Sequence, residues 1–172
     1  MKQIKLLTAA ITLLMLGGCA TAPIAGNMIY TGKVYGKFNK VLINEVAVAK
    51  TTRAAPRAAI KSTEINSEAF DVALKESLRK HGLYWESGRF QLQAHILKIV
   101  QPPGRFDMKV TTQVQYTLVE IASGNVFFKE TITSDHTAIA SDAFTSIKRR
   151  RLALEGAGKG NIAQFLDQLS QL

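Results

Sequence analysis

The chain has few of the residues that staple or break a fold. Among 172 residues there are one cysteine, one tryptophan, three histidines and four prolines. A single cysteine excludes an intramolecular disulfide and any zinc site built on paired cysteines. The histidines, His81, His95 and His136, lack metal-ligand spacing and read as core or surface residues. Acidic side chains are scarce as well. Thirteen Asp and Glu stand against 22 Lys and Arg, a formal charge of +9. Such a surface favours anionic neighbours, or serves solubility alone.

The position of the one cysteine is informative. Lys2 and Lys5 precede an apolar run from Leu6 to Leu16, and Gly17 and Gly18 end it. That is the layout of a secretory signal peptide. The run is shorter than the roughly 20 apolar residues a membrane span requires. Leu16-Gly17-Gly18-Cys19 resembles the bacterial lipobox. The resemblance implies diacylglycerol on the Cys19 sulfur, cleavage before Cys19 and acylation of the new amine. Ala20 stands where an aspartate would retain an enteric lipoprotein at the inner membrane, so outer-membrane sorting and a periplasmic address are implied. One acyl chain binds a bilayer only marginally, at about 0.8 kcal/mol per buried methylene, and two or three make a durable anchor. The expected organisation is a signal peptide over 1–18, a lipidated tether over 19–40 and one domain over 41–172. Cleavage leaves 172 − 18 = 154 residues, enough for a core without disulfides, and lowers the charge to +7.

Glycines Gly26, Gly32 and Gly36 punctuate the tether, which has room for one short strand around Met28 to Tyr35. A strand is predicted over Val41 to Ala49, then a basic loop carrying Arg53, Arg57 and Lys61 and broken by Pro56. Asn66 or Ser67 caps a helix with Phe70, Ala73, Leu74, Ser77 and Leu78 on one stripe; Gly82 stops it. Three strands follow. Phe90, Leu92, Ala94 and Ile96 alternate inward until the phase slips near Leu97, the mark of a bulge or of burial on both faces. Met108, Val110, Thr112, Val114, Tyr116 and Leu118 share one face of the next strand, and a tight Ser-Gly-Asn connection leads to a hairpin partner. A last helix is expected from Ser141-Asp142 towards Leu172, with Phe144, Ile147, Leu154, Ile162, Phe165, Leu169 and Leu172 on its apolar stripe. The order β-α-β-β-β-α predicts an α+β domain: an antiparallel β-meander with two helices packed on one face.

Several motifs suggest chemistry that their context does not support. Glu155 to Asn161 contains Gly-Lys, yet Gly160 follows Lys159 where a phosphate loop needs Ser or Thr, and no strand precedes it. Gly156, Gly158 and Gly160 more simply bring a helix close to the sheet, or kink it, since each costs about 1 kcal/mol against alanine. Ser134, Asp135 and His136 name a hydrolase triad, but neighbours on a strand point to opposite faces. Of the run Lys148 to Arg151, Arg149 and Arg150 are expected to face solvent. Arg151 projects with the apolar stripe, so a partly buried Arg151–Glu155 pair is expected.

Residues 142–166, with the meander before them, resemble a group of small proteobacterial lipoproteins, through Ala153, Glu155, Gly156 and Ala157. The layout is more loosely similar to YajG-like and LptE-like lipoproteins. Some members of the first group carry the name UDP-N-acetylglucosamine acyltransferase. Such acyltransferases form left-handed β-helices from hexapeptide repeats, and no six-residue period occurs here; the resemblance supplies no catalytic residues. The expected function is a non-enzymatic, lipid-anchored binding or assembly accessory in the cell envelope. Its partner would be an envelope protein or an anionic glycolipid, with Arg53, Arg57, Lys61, Lys148, Arg149 and Arg150 as the candidate anionic-partner surface. The alternative is an enzyme acting on envelope glycolipid or peptidoglycan, an acyltransferase or hydrolase. No cofactor, metal or nucleic acid is expected.

Overall fold

The computed structural model describes residues 22–54, 65–101 and 106–172. Cys19, Arg57 and Lys61 lie outside the described residues, as does the segment read as a signal peptide. A four-residue helix, α1 (Ala25–Met28), and a 3-10 turn (Lys40–Leu42) precede the short strands β1 (Val46–Val48) and β2 (Thr52–Arg53). Then come α2 (Ser67–Lys80), β3 (Phe90–Val100), β4 (Met108–Glu120), β5 (Val126–Ala138) and α3 (Ser146–Leu169).

The molecule is α+β. Strands β3, β4 and β5 form an antiparallel meander, and β1 and β2 both pair parallel to β3 at its other side. The connection between β2 and β3 runs through α2, as a parallel pair requires a crossover. The β3–β4 register shifts between Ile96 and Lys98, where the apolar phase slips in the sequence. Even-numbered residues of β3 and β4 turn inward: Leu92, Ala94 and Ile96 meet Val110, Val114, Tyr116 and Leu118 in one core with Phe70, Leu74 and Leu78 of α2. Phe165 of α3 completes it by stacking on Tyr116, centroids 4.3 Å apart, and meeting Phe128 edge-on at 5.7 Å.

Helix α3 runs back along β5 and β4, and small residues set its distance. A Cβ at Gly156 would strike the His136 ring, and one at Gly160 would lie 2.5 Å from Ser134 Oγ. Gly158, facing another way, lies against Met28 Sδ. Asn161 then ties helix to sheet inside the core. It accepts from the Tyr116 hydroxyl at 2.8 Å and donates to the Ile132 carbonyl at 2.9 Å. Burial drives the Tyr116 hydroxyl well above the usual phenol range, so it stays a donor.

Three local expectations change. No strand forms around Met28 to Tyr35; α1 instead packs against both α2 and α3, with Met28 wholly buried. The stretch from Pro23 to Lys40, read as tether, thus joins the packed unit through Pro23, Met28, Tyr30 and Phe38. Val41 to Ala49 yields only a three-residue strand, because the chain first turns through Lys40–Leu42 under the Asn39 cap. The last helix starts five residues late: Thr145, not Ser141 or Asp142, caps it by accepting from the Lys148 amide. Phe144 is therefore outside the helix and fully exposed, and Ile147 is 59% exposed.

Candidate functional site

The first concentration of polar chemistry lies where the N-terminal segment crosses α3. Glu155, 2% exposed, accepts the Ile24 amide on Oε1 and the Asn27 side-chain amide on Oε2, each at 2.8 Å. Arg151 Nε stands 3.6 Å from Glu155 Oε1, one helical turn earlier. A carboxylate shielded from water needs this compensation, and the arrangement pins the chain five residues after Cys19. Farther along, Tyr35 N donates to Asp167 and Gly36 N to Ser170 Oγ, so the same segment is held at the far end of α3 as well.

The second feature is a cavity of about 340 Å³ at the end of the sheet where β3 and β5 begin. Val41, Phe90, Val126 and Phe127 supply apolar walls, with the Phe90 and Phe127 rings 5.2 Å apart. Arg89 and Glu120 stand at its rim, joined through Arg89 Nε at 2.6 Å. The Ser123 hydroxyl and then Arg89 hold the Glu120 carboxyl below the usual carboxylate range. Glu120 is thus an ionised, committed acceptor, ill-suited to give or take a proton near neutral pH.

A third feature, a cavity of about 380 Å³, opens on the other sheet face beside β2. Gln93, Gln115, Thr117 and His95 line it, with Thr52 Oγ1 2.6 Å from His95 Nδ1. Among the described residues no three His, Cys, Asp or Glu side chains gather as a metal would need, and no helix is long and apolar enough to cross a membrane.

The residues read from the sequence as one basic surface are dispersed. Arg53 is half-buried in strand β2 rather than on a loop. Lys148 is exposed and Arg150 half-exposed at the start of α3, which lies over β4 and β5. Arg149, expected on the surface, is 7% exposed and donates to the Ala143 and Phe144 carbonyls at 2.7 and 3.1 Å. The late helix start explains this: the turn before the helix folds over and presents carbonyl oxygens to the guanidinium. Sequence periodicity also missed Asn161 and Asn27, because amides carry no pattern until a partner strand or helix faces them.

No protein-family model matches the sequence, and no curated protein does. Solved structures do match. A Xanthomonas campestris protein of the DUF330 family aligns at TM-score 0.56 with 14% identity, covering 81% of this chain and 92% of its own. The chain has its fold. A Caulobacter crescentus protein provisionally described as a lipoprotein aligns at 0.53 with 12% identity, over 76% of this chain and 91% of its own. The PelC dodecamer from Paraburkholderia phytofirmans aligns at 0.54 with 15% identity, over 78% and 92%. The acyltransferase, YajG and LptE resemblances find no support among these structures.

Proposed function

We propose that the chain is a lipoprotein of the bacterial cell envelope. In this reading it is anchored through Cys19 at the periplasmic face of the outer membrane and binds an envelope partner without catalysing a reaction. The apolar cavity bounded by Val41, Phe90, Val126 and Phe127 carries the binding part of the reading. Ligand sites are concave and mostly apolar with few polar groups. Of the polar groups that line it with Asn39 and Asn125, the two charged ones, Arg89 and Glu120, are committed to each other, and Glu120 also accepts from Ser123. The cavity therefore suits an apolar side chain of an envelope protein or an acyl chain of a glycolipid. The lipobox at Leu16 to Cys19 supports the anchor, and the fold shared with a Caulobacter protein described as a lipoprotein agrees with it.

Growth with labelled palmitate tests the anchor. Wild type should take up label and Cys19→Ser should not; label on the serine variant would refute lipidation there. For the cavity, Phe127→Asp in the whole chain should abolish binding of an acylated glycolipid while the chain still folds, at a cost of about 1–2 kcal/mol, since Phe127 is 36% exposed and packs on Phe90. Equal binding by both chains would exclude the cavity as the site.

A further inference from the structure

We propose that the pole of the domain at the start of α3 docks on the bilayer that carries the anchor, resting on the lipid-anchor reading above. Four apolar side chains are presented to solvent there: Phe106 at 74% exposure, Ile139 at 48%, Phe144 fully and Ile147 at 59%. The backbone brings them together. Met108 pairs with Ala138, Asp107 accepts the Ala140 amide at 3.2 Å, and Arg149 grips the carbonyls of Ala143 and Phe144. Phe144 is thus held outward by a buried arginine. Exposed aromatic and branched side chains grouped on one pole mark an interaction surface rather than scattered surface residues.

Chain length selects the occupant. Ile24 is fixed to Glu155, nine residues into α3, about 14 Å from the helix start. Five residues from Cys19 to Ile24 reach at most about 17 Å, so the lipidated residue can stand level with this pole. The apolar cavity lies at the opposite pole, where α3 ends at Leu169, about 21 Å farther along the helix axis from Glu155. A five-residue leash cannot bring that pole to the membrane. The cations also fit: Lys148 is exposed and Arg150 half-exposed beside Phe144, placed to meet headgroup phosphates while the rings enter the interface. The cavity then faces away from the bilayer, open to a periplasmic partner.

The test uses the full chain, expressed with its signal peptide, carrying Phe144→Cys. It is purified from membranes, labelled with an environment-sensitive thiol fluorophore and reconstituted in phosphatidylethanolamine–phosphatidylglycerol vesicles. One label per chain means that the Cys19 sulfur is blocked; two labels overturn the anchor reading and this proposal with it. With one label, a blue-shifted emission quenched by brominated lipid is expected at 144. Thr131→Cys, on the open sheet face, should report water. Water-like emission at 144 overturns the docking pole while leaving the anchor standing. A shielded 144 that brominated lipid does not quench means a protein covers this pole, and overturns it too. In the mature chain, residues 19–172 carrying Cys19→Ser, adding Phe144→Ser should lower vesicle partitioning by roughly tenfold or more, the worth of one inserted phenylalanine. Unchanged partitioning would count equally against the proposal.

Discussion

Replacing Glu155 by Gln keeps the shape of the side chain and removes its charge. In the wild type, one carboxylate receives the Ile24 amide and the Asn27 amide at 2.8 Å and faces Arg151 at 3.6 Å. Glutamine has only one acceptor oxygen, so either Ile24 N or Asn27 Nδ2 must meet an NH2 group. Each hydrogen bond to a charged group contributes about 1.5–3 kcal/mol, and a buried donor left facing an NH2 group costs about 1–3 kcal/mol. These effects share one atom group and do not add, which leaves roughly 3 kcal/mol as the expected loss. For a domain of this size that lowers the midpoint by about 6–12 °C. Urea denaturation would give the energy, and amide hydrogen exchange would show where it acts. Protection at Ile24 and Met28 should fall before protection in β4. A Gln variant within 1 kcal/mol of wild type, with Ile24 still protected, would refute the view that Glu155 holds the N-terminal segment.

Asn161→Ala strands the buried Tyr116 hydroxyl and should cost about 2–3 kcal/mol. Combined with Tyr116→Phe in a double-mutant cycle, it should show coupling of at least about 0.5 kcal/mol; strict additivity would show that the two side chains act separately. Gly36→Ala drives a Cβ into the Ser170 carbonyl and should cost about 1–3 kcal/mol in chemical denaturation, with a neutral result disproving close packing there. Tyr116 holds its proton in the folded state beyond the point at which an unfolded tyrosine releases it, near pH 10. The stability this confers is complete below about pH 10 and declines as pH rises towards the folded value, so Tyr116→Phe should flatten the alkaline branch of a stability–pH curve.

Local sequence determined the elements whose stripe and stop signals coincide. The α2 stripe of Phe70, Ala73, Leu74 and Leu78 ends at Gly82, which takes a φ of 71°, and all four side chains are buried. The β3 phase slip and the inward set of β4 likewise follow from a period of two, which the pleat imposes whatever lies opposite. The glycines of α3 were legible as a close approach, since only nearby atoms justify three of them in a helix.

Tertiary structure decided what periodicity cannot carry. Whether β1 pairs at all depends on a crossover bringing it to β3. Arg149 is inside because the turn just after β5, at Ala143 and Phe144, supplies carbonyls, and Phe144 is outside because Thr145 captures the cap before Ser141 can. The Pro23 to Lys40 stretch has no stripe to announce burial. Met28 fills a gap that exists only once α2 and α3 lie side by side, and Glu155 becomes an anchor point only when Ile24 and Asn27 arrive. A repeating pattern records one face of one element, whereas a single buried contact between distant segments belongs to the packing of all of them.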